Sequence, residues 1–261
     1  MVEQFSNRQV TRINRGVLET VEDTLIKESP LTIYFNEQEL VTLLCTPEGM
    51  EELAIGFLAS EGLLKTPEDI TKVKLDQEQG IIWVEAKQSG TIAEKLFLKR
   101  YITTGCGKGT TFYNIMDSAL VKQPIAELTF LSAEIFTLMK KVQEESELYR
   151  STGGVHGAAL AQGQQIVFFR EDVGRHNAVD KLIGRCFLDG IPLGDKILLT
   201  SGRISSEILL KVAKQGIGVL ASRSAPTDLA VKLGQELGIT IIGFVRGSRM
   251  NIYCHEQRVK L

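Results

Sequence analysis

The chain has 261 residues, 43% of them hydrophobic, so it can bury a sizeable core as one large domain or as two smaller ones. Its 30 Lys and Arg residues nearly balance 32 Asp and Glu residues, which gives a formal net charge of -2. This balance provides no overall field that would attract nucleic acid or an anionic membrane, so neither is expected as a partner. Any site for an anion must therefore be local.

The N-terminus and the cysteine spacing indicate the compartment. The N-terminal sequence MVEQFSNRQV lacks the basic start and apolar run of a signal peptide, and no stretch approaches the roughly 18 apolar residues of a membrane span. The cysteines at positions 45, 106, 186 and 254 form no C-x-x-C pair and no dense framework. We therefore expect a cytoplasmic protein with reduced thiols.

The first half of the chain, residues 1–130, is predicted as a smaller β-rich part. Residues 1–30 indicate an irregular arm, of which a part could pair as an edge strand. The runs LTIYFN and ELVTLLC predict a hairpin, and VKLDQ, GIIWVEA and KLFLKRYITT predict further strands. Between the hairpin and these further strands, Thr46 and Pro47 are expected to start a helix with a buried apolar stripe at 3.6-residue spacing. This stripe comprises Met50, Leu53, Ala54, Phe57 and Leu58.

The second half, residues 131–261, alternates strands with helices. Ser132 is expected to open a long helix between the two halves, and AALAQ and QQIVFFR predict paired strands. Further helices are predicted at about 178–188, 204–215 and 227–238. The apolar runs KILLT, GVLAS and TIIGF lack polar alternation, as expected for parallel strands that are covered on both faces. The predicted fold class is therefore α/β, with an α/β/α sandwich in this half.

Arginine and hydroxyl side chains follow three successive strands of the predicted sheet. They are Arg203 after KILLT, Arg223 and Ser224 after GVLAS, and Arg246, Ser248 and Arg249 after TIIGF. Ligands of open parallel sheets bind beyond the carboxyl ends of the strands, where helix N-termini and Arg side chains suit phosphate groups. Each loop alone could simply be solvated, but their repetition favours a nucleotide or other polyanion site. We predict that Arg203, Arg223 and Arg246 line it.

Two histidines lie beside glycine-rich turns in the same half. His156 occurs in STGGVHGAAL and His176 in REDVGRHN. Backbone can approach a ligand closely at glycine, and a neutral imidazole can take or give a proton near pH 7. A structural role with satisfied hydrogen bonds is the alternative for each. The adjacent Glu171 and Asp172 point to opposite faces of an extended strand, so they cannot work together as an acid and base pair.

Cys106 lies between glycines in TTGCGKGT, which is a poor setting for a packed cysteine. We expect the glycines to leave its thiol exposed on a mobile segment. Lys108 could lower the pKa of this thiol, and the thiolate is the species that attacks sulfur or carries a persulfide. Cys106 is therefore the predicted catalytic residue, with an incidental loop cysteine as the alternative. Cys45 and Cys186 are predicted to fill the core.

Six segments, in this order, resemble the FdhD family of formate dehydrogenase accessory proteins: GCGKG, TGGVHGAAL, FREDVGRHNAVDKLIG, TSGRISSEI, SRSAPTDLAV and GFVRGSRMNIY. The resemblance implies a cytidine-deaminase-like core and a sulfurtransferase. Sulfur would pass from a cysteine desulfurase, as a persulfide on Cys106, to molybdenum bis(molybdopterin guanine dinucleotide), a bound substrate whose place guanine nucleotide can take. It further implies a homodimer with formate dehydrogenase as client. The implied cofactor-binding stretch is Phe244, Val245, Arg246, Gly247, Ser248 and Arg249.

One departure from the family pattern and two rival functions remain. Many family members carry a C-x-x-C pair in the loop, whereas here Gly109 follows Cys106 by three positions, which excludes a two-cysteine relay within the loop. A zinc-dependent deaminase needs H-x-E and P-C-x-x-C ligands, but Gly157 and Ala158 follow His156, so we expect no zinc or other metal. The second rival is a chaperone that binds and delivers the cofactor while Cys106 stays idle.

Overall fold

A computed structural model describes residues 3–87, 121–122, 124–125 and 128–261. Two of the predicted features lie outside these ranges. One is the strand KLFLKRYITT, and the other is the glycine-rich loop with Cys106, Lys108 and Gly109. Both therefore stay predictions.

The described chain begins with a two-stranded antiparallel ribbon, formed by β1 (Phe5–Asn14) and β2 (Val17–Ile26). Arg15 and Gly16 join the strands with φ angles of 51° and 84°, which match the turn that twisted hairpins require. The irregular arm predicted for this segment is thus corrected to a regular hairpin. Most residues on both faces of this hairpin are exposed. Its sequence therefore needs no alternation of apolar and polar residues, which is the pattern that would have predicted the strands.

A four-stranded sheet follows, with the strand order β4-β3-β6-β5. Its strands are β3 (Ser29–Phe35), β4 (Gln38–Cys45), β5 (Ile70–Asp76) and β6 (Ile81–Ala86). The predicted hairpin is confirmed as β3 and β4, and the strands VKLDQ and GIIWVEA are confirmed as β5 and β6. Alternate side chains such as Leu31 and Ile33 are fully buried, as the two-residue period of a strand requires.

Helix α1 (Met50–Glu61) buries the predicted apolar stripe but starts later than the sequence predicts. Gly49, with a φ of 71°, occupies the position before the first turn. Thr46 does not cap the helix, because its hydroxyl donates to the carboxylate of Asp172 at 3.0 Å. The start at Thr46 and Pro47 was therefore a wrong prediction, and the competing interaction is with a residue far along the chain.

The second half is built around a six-stranded sheet with the order β13-β12-β11-β10-β8-β9. Its strands are β8 (His156–Gln162), β9 (Gln165–Asp172), β10 (Ile197–Thr200), β11 (Val219–Ser222), β12 (Thr240–Arg246) and β13 (Arg249–Cys254). The pairs β10–β11 and β11–β12 are parallel, while the other neighbours are antiparallel. This confirms the parallel strands predicted from KILLT, GVLAS and TIIGF.

The helices of this half are α2 (Ser132–Glu145), α3 (Glu147–Thr152), α4 (Arg175–Leu188), α5 (Ser206–Lys214) and α6 (Asp228–Leu237). The single long helix predicted after Ser132 is broken at Ser146, whose ψ of 72° is not helical. Two short strands, β7 (Phe130–Leu131) and β14 (Val259–Lys260), pair in parallel. No helix in the described part of the chain is long and apolar enough to cross a membrane.

Both faces of the six-stranded sheet are covered by helices. On one face, Leu160, Leu198 and Leu220 share a hydrophobic core with α4, α5 and α6 and with residues of α1 and the four-stranded sheet. On the other face, Ala161 and Leu199 pack against α2. The chain thus has a mixed α/β fold, and the predicted division at residue 130 stays a prediction.

Helices α1 and α4 touch through their backbones. A Cβ on Gly56 would lie 1.8 Å from the carbonyl oxygen of Asp180, and a Cβ on Gly184 would lie 1.8 Å from that of Glu52. Neither distance leaves space for a methyl group, so glycine is required at both positions. This contact determines how closely the first half of the chain approaches the second.

We expect Gly56→Ala to destabilise the protein by about 3 kcal/mol or more, because the helices would have to move apart. Chemical denaturation of wild type and variant measures this loss. Gly194→Ala is the control, since its new Cβ would make only an ordinary contact, 3.5 Å from the Gly216 carbonyl oxygen. Similar stabilities for both variants would contradict the close helix contact.

Candidate functional site

The loops that follow β10 and β11 lie side by side at the carboxyl edge of the parallel strands. The backbone N–H of Arg223 donates to the carbonyl of Thr200 at 3.0 Å, and that of Ile204 donates to Ala225 at 3.1 Å. The Ser222 hydroxyl adds a bond of 2.6 Å to the Gly202 carbonyl. These bonds extend the strand pairing into the loops and hold the two segments together.

The end of β12 lies at the same edge. Arg246 donates from Nε to the carbonyl oxygen of Arg223 at 3.2 Å, and its guanidinium carbon lies 5.8 Å from the centre of the Phe244 ring. The Phe244 backbone N–H donates to the Ser224 carbonyl at 3.0 Å. The three loops predicted to carry the anion site are therefore neighbours. That Arg203, Arg223 and Arg246 direct their charges at one anion stays a prediction.

Phe244 has an unusual backbone conformation within the stretch Phe244 to Arg249. Its φ is 53°, in the left-handed region, and the pairing of β12 with β13 is irregular between Gly243 and Arg246. Such a conformation costs a side-chain-bearing residue about 1 kcal/mol or more, and strain of this kind concentrates at functional sites. Val245 is 1% exposed, which leaves mainly its backbone for a ligand, whereas Gly247 and Ser248 are exposed at the turn.

His156 lies at the start of β8, close to the loop after β10. The Gly157 N–H donates to the Ser201 hydroxyl oxygen at 3.0 Å, and this oxygen lies 3.5 Å from Nδ1 of His156. Burial lowers the pKa of His156, and electrostatic interactions with Arg175, Arg203 and His176 lower it further. The neutral imidazole of His156 is therefore favoured in the free protein.

His176 lies in the first turn of α4 and contacts the start of α5. Its Nε2 is 3.2 Å from the hydroxyl oxygen of Ser205 and 3.1 Å from a carboxylate oxygen of Glu207. Ser205 caps α5 by accepting a hydrogen bond from the N–H of Ile208. His156 and His176 are thus brought to one region, and His176 links α4 to the N-terminus of α5.

Arg175 belongs to the same region, although no sequence pattern distinguishes it as a site residue. Its side chain packs over Gly202, where a Cβ would lie only 2.8 Å from the Cβ of Arg175. Its Nε is buried and has no hydrogen-bond partner among the described residues. The only sequence signal was its position beside His176, because the packing over Gly202 depends on the folded chain.

The adjacent carboxylates Glu171 and Asp172 contact different groups. Glu171 accepts hydrogen bonds of 3.1 Å from the N–H groups of Leu148 and Tyr149 at the start of α3. Burial raises the pKa of Glu171, while these two hydrogen bonds oppose the shift. Asp172 points into the protein and is 0% exposed. The prediction that the two do not act as a pair agrees with these contacts.

The described cysteines are unsuited to nucleophilic chemistry. Cys45, Cys186 and Cys254 are all buried, which confirms the prediction that the first two fill the core. Burial raises the pKa of Cys45 and of Cys186 to about 12, so both are protonated near pH 7. Among the described residues there is also no group of three or more His, Cys, Asp or Glu that could hold a metal ion.

Comparisons with known proteins agree with the sequence resemblance. The model of the FdhD/NarQ family matches residues 26–260. The sulfur carrier protein FdhD of Bacillus subtilis (strain 168) is 44% identical over 253 residues, covering 97% of each chain. Its namesake in Listeria innocua is 45% identical over 256 residues, covering 97% of this chain and 98% of the other. The chain therefore belongs to the FdhD/NarQ family.

A solved structure gives the same result for the fold. It is a crystal structure from Desulfotalea psychrophila, provisionally described as a formate dehydrogenase accessory protein. It superposes with a TM-score of 0.81 at 26% sequence identity, covering 99% of this chain and 100% of the other. The described residues thus share their mixed α/β architecture with this solved structure.

We expect Arg203→Gln to raise the pKa of His156, because the substitution removes a positive charge that disfavours the imidazolium. A titration of the His156 ring protons by NMR measures this pKa in both proteins. Arg185→Gln is the control, since Arg185 is engaged elsewhere with Asp189 and the Phe168 ring. An unchanged midpoint in Arg203→Gln would show that this guanidinium does not face His156.

Proposed function

We propose that this protein is a sulfur carrier in which Cys106 takes up a sulfur atom as a persulfide. Its acceptor is molybdenum bis(molybdopterin guanine dinucleotide), bound at the arginine–histidine cluster of Arg175, Arg203, Arg223, Arg246, His156 and His176. The single observation that carries the proposal is the meeting of three arginine-bearing loops beside two histidines. The relatives named sulfur carrier protein FdhD, at 44% identity over nearly the whole chain, support the transfer role.

The loading step needs one reactive thiolate. Cys106 attacks the outer sulfur of the persulfide on a cysteine desulfurase, a new S–S bond forms on Cys106, and the bond within the donor persulfide breaks. The donor cysteine leaves as a thiolate, so no external oxidant is required. The raised pKa values of Cys45 and Cys186 support the assignment to Cys106, because those thiols are protonated and buried.

The delivery step also requires no second cysteine. The outer sulfur moves from Cys106 to the molybdenum centre, the S–S bond breaks, and Cys106 is regenerated as a thiolate. The acceptor metal supplies the two electrons that convert this sulfur into a sulfide ligand. Gly109, which replaces the second cysteine of the family pattern, is compatible with this route.

The cluster suits the nucleotide ends of the proposed substrate. A pyrophosphate presents several anionic oxygens, and Arg guanidinium groups bind such oxygens through paired hydrogen bonds. The N-terminus of α5, capped by Ser205, adds a positive dipole end to the region. The half-buried ring of Phe244 provides an apolar surface beside Arg246. Guanine nucleotide alone is proposed to bind in place of the whole cofactor.

The remaining features of the proposal concern architecture and partners. Helices on both faces of the mixed sheet support a cytidine-deaminase-like core. The relation to a formate dehydrogenase accessory protein supports formate dehydrogenase as the client enzyme. We further propose that a cysteine desulfurase is the sulfur donor. The protein is proposed to be cytoplasmic and to form a homodimer.

A cofactor-binding chaperone is the second candidate function. The observation that favours it is Gly109, because a relay between two loop cysteines is impossible in this chain. In that case the arginine–histidine cluster would protect or deliver the cofactor, and Cys106 would carry no sulfur.

Incubation with a cysteine desulfurase and cysteine is expected to add about 32 Da, one sulfur atom, to wild type and nothing to Cys106→Ala. Intact-mass spectrometry measures the adduct. Cys254→Ala is the matched control and should be labelled like wild type, because the Cys254 thiol is buried. Equal labelling of wild type and Cys106→Ala, or no labelling of either, would favour the chaperone.

Arg246→Gln is expected to weaken binding of guanosine diphosphate about tenfold, since it removes a charged donor to phosphate. Isothermal titration calorimetry on folded protein gives the affinity. Arg185→Gln, whose charge lies over the Phe168 ring, should bind like wild type. Equal affinities of the two variants would remove the turn after β12 from the nucleotide site.

A further inference from the structure

The carboxylate of Asp172 connects the arginine–histidine cluster with the interior of the protein. Asp172 is the last residue of β9 and is 0% exposed. Its two oxygens bind different parts of the chain. Oδ1 accepts from the N–H of Gly174 at 2.9 Å and from the side-chain amide of Asn177 at 2.8 Å. Oδ2 faces the first half of the chain and the lysine that neutralises the carboxylate.

The bonds to Oδ1 lie on either side of two cluster residues. Arg175 and His176 stand between Gly174 and Asn177, so the carboxylate holds the backbone before them and a side chain after them. Asn177 also donates to the carbonyl of Leu44 at 2.8 Å. This turn is therefore fixed at both ends, and the directions of the Arg175 and His176 side chains follow from it.

The groups on Oδ2 hold the carboxylate in place. Thr46 donates to it from its N–H at 3.1 Å and from its hydroxyl at 3.0 Å, and the ammonium of Lys181 lies 2.7 Å away. Lys181 is itself 1% exposed and donates to the Thr46 hydroxyl at 2.6 Å. A buried charge tolerates few arrangements when it is satisfied in this way, because each lost partner leaves a desolvated group.

A second buried ion pair, between Asp180 of α4 and Lys211 of α5, lies away from the cluster. Asp180 of α4 is 2% exposed and accepts from Lys211 at 3.0 Å and from the Ser60 hydroxyl at 2.8 Å. It resembles Asp172 in burial and in its lysine partner, but its contacts go to α1 and α5. The chain thus contains a matched control for the effect of removing a buried ion pair.

From these contacts we infer that Asp172 is a positioning residue for anion binding: its carboxylate places Arg175 and His176 in the cluster. The inference rests on the proposed function of the cluster and adds a residue that does not touch the ligand. The inference distinguishes a contribution to stability from a contribution to binding. Asp172 and Asp180 both stabilise the fold, but only Asp172 positions residues of the cluster.

The test compares Asp172→Ala with Asp180→Ala by denaturation and by titration with guanosine diphosphate. Both variants should lose stability, but only Asp172→Ala should bind the nucleotide about tenfold or more weakly. If a single variant does not fold, the pairs Asp172→Ala with Lys181→Met and Asp180→Ala with Lys211→Met replace them, because methionine removes the unpaired cation at similar volume. Equal losses of affinity in both, or none in either, would overturn the inference.

A ligand-free measurement separates this inference from the proposed function. The His176 ring signals in NMR spectra should shift in the Asp172 variant and stay in place in the Asp180 variant. If wild type fails to bind guanosine diphosphate, the proposed nucleotide site is wrong, yet the His176 signals still report the positioning. Unmoved His176 signals in both variants would refute the positioning role, whatever the affinity.

Discussion

The backbone contact between α1 and α4 at Gly56 and Gly184 determines how the two halves of the chain meet. With no side chains between them, the helices approach closely enough to join their surroundings into one hydrophobic core. The same approach brings Ser60 to within 2.8 Å of a carboxylate on α4. Polar groups buried at such a junction must find their partners across it, because water is excluded.

The buried lysines at this junction are paired with carboxylates rather than left as single ions. Lys181 faces Asp172, and Lys211 faces both Asp180 and Glu61. In contrast, the carboxyl edge of the parallel strands gathers positive charge. The basic groups of the proposed anion site are thus concentrated locally, which is compatible with a net charge of -2 for the whole chain.

Much of the fold and part of the candidate site could be predicted from the sequence, because these features depend on local patterns. The unbroken apolar runs predict the parallel strands. Arg203 and Arg223 follow β10 and β11 as predicted, and Arg246 is the last residue of the neighbouring β12. The sequence places Thr46 at a helix start because a cap is the usual local use of threonine, whereas its partner in the structure lies 126 residues away. Arg175 was missed for a similar reason: its environment depends on Gly202 in another loop. Polar contacts between residues that are distant in the chain produce no periodic pattern, so a single sequence does not predict them.

The contacts that restrain the Arg246 side chain affect the entropy change of ligand binding. An unrestrained arginine side chain loses rotamer freedom when it binds an anion, which costs about 0.5–1.5 kcal/mol of binding free energy per immobilised side chain. Here the carbonyl of Arg223 and the ring of Phe244 already restrain the guanidinium before any ligand arrives. In the proposed anion site, part of that ordering cost would thus be met during folding, and a phosphate would encounter a preorganised donor.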